Sequence, residues 1–157
     1  WVPEEIIHIT LKFLGRTDES LITPIKTNLH IKLLHYSTFY IRIADVGCFP
    51  DIKHPRVIWI GLKESELFRN LYEDIESEMV KLGFAQEKRD FSPHLTIGRV
   101  RTQKRIPNLI KILEELRTIN FGTIQINSIF FMKSELNPAG VKYYNLAEIF
   151  FGRRNDV

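Results

Sequence analysis

Two short stretches constrain this chain more than anything else in it. They are Ile6-Ile7-His8-Ile9-Thr10-Leu11-Lys12-Phe13-Leu14-Gly15 and His94-Leu95-Thr96-Ile97. Both are rich in aliphatic residues and read as β-strands. Side chains on a strand alternate faces, so His8 and Thr10 share one face, as do His94 and Thr96. Five histidines and nine threonines among 157 residues give about 0.3 chance occurrences of His-x-Thr. One copy carries little weight. Two copies, each in a strand and each followed by an aliphatic residue, are hard to obtain by accident.

Between and after them the chain reads as alternating strands and helices. Thr17-Asp18-Glu19 looks like a helix start, with a capping residue and acids in the first turn. That helix runs to about Leu33, with Leu21, Ile22, Ile25 and Leu29 on one face and Pro24 in its first turns. His30 and His35 fall near its end and read as structural or surface residues. Ser37 to Ala44 alternates enough to be a strand, followed by a loop from Gly47 to Pro55 that carries His54. Arg56 to Gly61 is a short strand rich in β-formers. Leu67, Phe68, Leu71, Ile75, Met79 and Leu82 form a helical core stripe that Gly83 ends.

A strand from His94 to about Arg101 holds the second motif. A third helix opens on Pro107 and buries Leu109, Ile110, Leu113 and Leu116; Phe121-Gly122 breaks it. Thr123 to Lys133 reads as one long strand, paired with Val141 to Phe151 across the turn Asn137-Pro138-Ala139-Gly140. The tally is about six strands and three helices. The element order, with one His-x-Thr in each half, points to a duplicated unit of antiparallel sheet plus helix.

Length fits one compact domain or two small lobes sharing a core. The hydrophobic share of 44% and charged share of 26% are those of an ordinary globular protein. No apolar run approaches the roughly 20 residues of a membrane-spanning helix, so no membrane partner is expected. The single cysteine, Cys48, precludes an internal disulfide and suits a reducing cytoplasm. The net charge of +3 and pI near 9.0 permit an anionic partner. Arg99, Arg101, Lys104 and Arg105, with Arg153 and Arg154 near the end, form either a solvated face or a phosphate-attracting rim. The chain begins at Trp1 without an initiator methionine, and a preceding segment is expected to be missing from it.

A histidine pair is suited to chemistry on phosphorus. An ordinary imidazole pKa of about 6.5 lets it both give and take protons near neutrality. Two of them flanking a phosphate divide the labour, one neutral to activate a nucleophile and one protonated to assist the leaving oxygen. Each threonine hydroxyl can donate to a non-bridging oxygen, where charge is held through the transition state. The scheme needs no metal or other cofactor. The sequence has no His-x-His or His-Glu-x-x-His to hold a metal, and no glycine-rich cradle for ATP.

These residues resemble the two-histidine phosphoesterases, and within them the RNA 2',3'-cyclic phosphodiesterases of the 2'-5' RNA ligase-like family. The resemblance rests on His8 to Gly15 and on Pro93-His94-Leu95-Thr96-Ile97-Gly98-Arg99-Val100, an HxTx motif in each. Gly47-Cys48-Phe49-Pro50, Arg56 to Gly61, and Lys133 to Gly140 with Tyr143 after them are also similar, in the family's order. It implies a bilobal α+β fold of pseudo-duplicated antiparallel sheets, helices outside, and a central cleft to which each lobe contributes one motif. Residues 1–157 would be a single two-lobed domain lacking the strand and helix with which family members begin.

The activity implied is a hydrolase reaction, conversion of an RNA 2',3'-cyclic phosphate end to a 2'-phosphate. His8 would be the proton donor to the departing 3'-oxygen and His94 the base that activates water. Thr10 and Thr96 would bind phosphate oxygens and Arg99 would add a charged contact, with Phe13, Phe49 and Tyr143 in the cleft wall. Partners would be RNA with a cyclic end or a small cyclic nucleotide, met by a cytoplasmic monomer. The same two-histidine site would equally serve small cyclic phosphates, 2'-5' linkages or the reverse ligation. A non-catalytic RNA-binding module is the remaining reading, opposed by the intactness of both motifs.

Overall fold

The computed structural model describes residues 1–63, 65–101, 106–138 and 140–152. The fold is α+β, as expected. In chain order its elements are α1 (Ile22–Leu33), β1 (Phe39–Phe49), β2 (Val57–Lys63), α2 (Glu66–Lys81), β3 (His94–Arg99), α3 (Ile106–Glu115), β4 (Asn120–Ile126), β5 (Ser128–Asn137) and β6 (Gly140–Phe150), with short 3-10 turns at Glu4–Ile6 and Glu19–Leu21. β3-β2-β1-β4 form one sheet, in that order, and β5-β6 a second, two-stranded one. No helix among the described residues is long and apolar enough to cross a membrane.

The chain divides into two compact units. The first holds Trp1–Leu11, Ile41–Ser65 and Ser92–Ile124; the second holds Lys12–Tyr40, Glu66–Phe91 and Gln125–Val157. In the first, α3 lays Leu109, Leu113 and Leu116 against Val46, Ile58 and Ile97 of the sheet. In the second, α1 packs on α2 and on β6. Its core is Ile25, Leu29, Leu33, Phe68, Leu71 and Met79, with Phe39 stacked on Phe151 at 5.9 Å.

Asp18 accepts from the amide of Ser20 and caps the 3-10 turn, after which α1 begins at Ile22 and Pro24 falls in its first turn. A proline costs little there because the first amides of a helix have no partner within it. Gly83, at φ 91°, ends α2 in the left-handed conformation glycine favours.

Five expectations change. The stretch from Ile6 to Gly15 forms no continuous strand: Ile9 alone bridges to Leu95, and beyond it the Lys12 ammonium is drawn to Glu76 and to the Ala85 carbonyl. β1 continues through Gly47, Cys48 and Phe49, expected to be loop, because they pair with Trp59, Ile58 and Val57. The expected strand Thr123–Lys133 is two strands parted at Asn127, whose carbonyl accepts from the Phe151 amide, and Phe121-Gly122 lies inside β4 rather than ending a helix. Finally, both His-x-Thr motifs belong to the first unit, not one to each, because the Ile9–Leu95 bridge draws the first motif to the edge of β3. Lys104, Arg105, Ala139, Arg153 and Arg154 lie outside the described residues.

Candidate active site

Strand alternation builds one face of the first sheet as a site. Val46, Cys48, Ile58, Ile60 and Ile97 turn toward α3, so Gly47, Trp59, Gly61, His94 and Thr96 face the other way. Across the strands, Trp59 stands opposite both Gly47 and Thr96, and Gly61 stands opposite His94. The first motif joins along the remaining side of β3 through the antiparallel bridge of Ile9 to Leu95. Continued by one residue to either side, that antiparallel register sets His8 level with Thr96 and Thr10 level with His94. Four polar side chains thereby share one patch.

The two imidazoles are anchored alike. His8 Nδ1 lies 2.7 Å from the Ile6 carbonyl and His94 Nδ1 lies 2.8 Å from the Ser92 carbonyl, each two residues back. A carbonyl oxygen only accepts, so in both rings Nδ1 carries a proton and donates it. Nε2 of each ring is then an acceptor while the ring is neutral and a donor in the imidazolium. His8 is exposed and His94 half-buried. Phe49 meets His94 nearly edge to face, with centroids 5.1 Å apart at 75°; Trp59 lies 6.4 Å from His94 and 5.5 Å from Phe49.

Arg99 reaches this face through an irregularity. Thr96 pairs with Trp59 but Gly98 pairs with Ile58, so β3 carries one extra residue, Ile97. Strict alternation from His94 would turn Arg99 toward the core. The extra residue reverses the phase, as a β-bulge does. Arg99 stands opposite Val57, exposed, while Val100 joins the core.

Of the expected site residues, His8, Thr10, His94, Thr96, Arg99 and Phe49 lie in the first unit. Phe13, 80% exposed, and Tyr143, half-buried in β6 opposite Ser134, lie in the second. Cys48 packs into the α3 core, and burial pushes its thiol up, away from thiolate chemistry.

Sequence reasoning passed over two residues. Lys12, in the first motif's stretch, donates to both Glu76 carboxylate oxygens at 2.7 and 2.8 Å and to the Ala85 carbonyl at 2.9 Å. All three ammonium protons have an acceptor. Trp59 was read only as a β-former, yet its ring lies over Gly47 of the neighbouring strand and Gly61 of its own.

The family model described as the 2'-5' RNA ligase superfamily matches residues 2–137. A protein of Methanothermobacter thermautotrophicus named RNA 2',3'-cyclic phosphodiesterase is 35% identical over 150 residues, 96% of this chain and 80% of its own length. One of the same name from Aeropyrum pernix is 32% identical over 94% of this chain and 84% of its own. Among solved structures, a protein of Thermus thermophilus matches with a TM-score of 0.81 at 24% identity, over 96% of this chain and 81% of that one. That likeness speaks to the fold.

Proposed function

We propose that this chain, which belongs to the 2'-5' RNA ligase superfamily, is a phosphodiesterase that opens 2',3'-cyclic phosphate ends of RNA to 2'-phosphomonoesters. The hydrolase class follows its curated relatives; the substrate and mechanism go a step further. The observation that carries them is the matched anchoring of the two imidazoles: each Nδ1–H is committed to a carbonyl, which assigns proton transfer to Nε2 in both rings.

In this scheme the neutral ring of His94 takes a proton from water at Nε2 as the water oxygen attacks phosphorus. The bond from phosphorus to the 3'-oxygen breaks, and protonated His8 gives its Nε2 proton to that oxygen. The product carries a 2'-phosphate and a free 3'-hydroxyl. Thr10 and Thr96 donate hydroxyl protons to the non-bridging oxygens, whose charge grows in the transition state. Arg99 adds a charge-assisted contact to phosphate, and Phe49 contributes apolar wall. Each proton has a protein donor or acceptor, so the scheme runs without a metal.

The test is hydrolysis of cyclic-ended RNA and of 2',3'-cyclic mononucleotides in excess EDTA, with the product phosphate located by NMR. The expected product is the 2'-phosphate. Loss of turnover in EDTA, or a 3'-phosphate product, refutes the scheme.

A further inference from the structure

The side chains around His94 are arranged with more care than one hydrogen bond requires. The indole of Trp59 lies flat against the sheet over two glycines. A Cβ at Gly47 would sit 2.5 Å from Trp59 Cη2 and 2.8 Å from Cε2; one at Gly61 would sit 3.3 Å from Cζ3 and 2.9 Å from the Ala44 carbonyl oxygen. Neither glycine has a left-handed φ, so they supply space rather than backbone freedom. Glycine within a strand weakens it and marks a close approach. Here Gly47 stands opposite Trp59, and Gly61 opposite His94. Phe49 closes the arrangement, touching both Trp59 and His94.

We propose that Trp59 is a positioning residue for His94: its glycine-seated indole, with Phe49, walls in the imidazole so that Nε2 alone is presented to substrate. The Ser92 carbonyl sets the tautomer, but a single bond two residues away, itself exposed, does not stop the ring from swinging. Rotation about the bond to the ring exchanges Nδ1 with Cδ2 and Nε2 with Cε1, which removes the base from its water. Packed rings on the unreactive side oppose that rotation. The indole is fixed by packing: its Nε1 is buried and has no hydrogen-bond partner among the described residues, whereas a buried tryptophan ordinarily finds one.

The inference rests on His94 as the base, so its test has a readout independent of turnover. In the wild-type chain, imidazole 15N shifts should report His94 as the Nδ1–H tautomer. Trp59→Leu should give a mixture of tautomers, about a ten- to hundredfold loss of kcat and a KM within about twofold. Trp59→Phe should recover most of kcat. Gly47→Ala, which displaces the indole without touching His94, should reproduce Trp59→Leu. If Trp59→Leu does not fold, Gly47→Ala and Phe49→Leu carry the test.

A folded Trp59→Leu or Gly47→Ala that keeps the single tautomer and wild-type kcat overturns the proposal. If the wild-type chain turns over no cyclic phosphate, the hydrolase reading fails, and the tautomer measurement still decides whether Trp59 holds the ring.

Discussion

Ile9 bridges Leu95 in antiparallel register, and this places each motif's threonine beside the other motif's histidine. The two His-x-Thr units thus meet as a crossed pair. Removing either histidine deletes a proton carrier while leaving the other's carbonyl anchor intact. His8→Ala and His94→Ala should each cut kcat by about 10²–10⁴-fold, with circular dichroism unchanged, since neither ring is in the core. Near wild-type rates in either variant end the acid–base assignment. The wild-type rate should trace a bell against pH, because the scheme needs one ring protonated and the other neutral.

The threonines are expected to act later in the reaction coordinate than in binding. Thr10→Val and Thr96→Val keep the shape and remove the hydroxyl. Each should lower kcat by about 10²-fold, in the manner of a lost oxyanion donor, with a smaller change in KM. Stopped-flow or steady-state kinetics on a cyclic mononucleotide separates the two. A KM effect alone means that the hydroxyls bind ground-state phosphate only.

Arg99 was reached from sequence by resemblance, and strict alternation would have denied it. The extra residue at Ile97 turns it to the site face. Arg99→Ala should reduce kcat/KM by about ten- to hundredfold, as loss of a charge-assisted bond does. Salt should weaken the wild type more than the variant. Equal salt dependence in both removes Arg99 from the phosphate contact.

The strands carrying the site were legible because period-two alternation separates Ile58 and Ile60 from Trp59 and Gly61 whichever way the strands pair. The helix faces were legible for the same kind of reason: Ile25 and Leu29, then Phe68, Leu71, Ile75 and Met79, repeat at helical spacing and are buried. Pairing partners were not legible. Ile6 to Gly15 has the composition of a strand, but a strand exists only where a neighbour supplies hydrogen bonds, and here one residue has one. Gly47-Cys48-Phe49-Pro50 carries loop-forming residues, yet Gly47 is there to seat an indole from the next strand. The break at Asn127 separates strands of two different sheets, which no local preference encodes.

Lys12 should matter to stability. The Lys12 and Glu76 side chains are 6% and 9% exposed, and Glu76 also accepts from the Glu87 amide. Removing one partner of a buried pair leaves an uncompensated charge. Lys12→Ala should therefore cost about 3–5 kcal/mol in urea unfolding, while Lys12→Met with Glu76→Leu should recover most of it. A cost below about 1 kcal/mol for the single variant means that water reaches the pair.

Tyr36 gives the chain an alkaline limit. Its ring is buried and its hydroxyl donates to Asp74 Oδ2 at 2.7 Å. Burial first, and then that bond, push the phenol well above its ordinary range. A folded pKa above the unfolded one holds the proton in the native state. The contribution to stability is thus complete below about pH 10, the unfolded value, and is lost as pH rises toward the folded value. Lys32, raised chiefly by its own bond to Asp74, changes with the same sign. Tyr36→Phe removes the bond and the titration together. It should be less stable than wild type by about 0.5–1.5 kcal/mol near neutrality, and the gap should narrow above about pH 10. Melting temperatures of both chains across that range measure the gap. A difference that stays constant with pH means that Tyr36 does not hold its proton in the folded state.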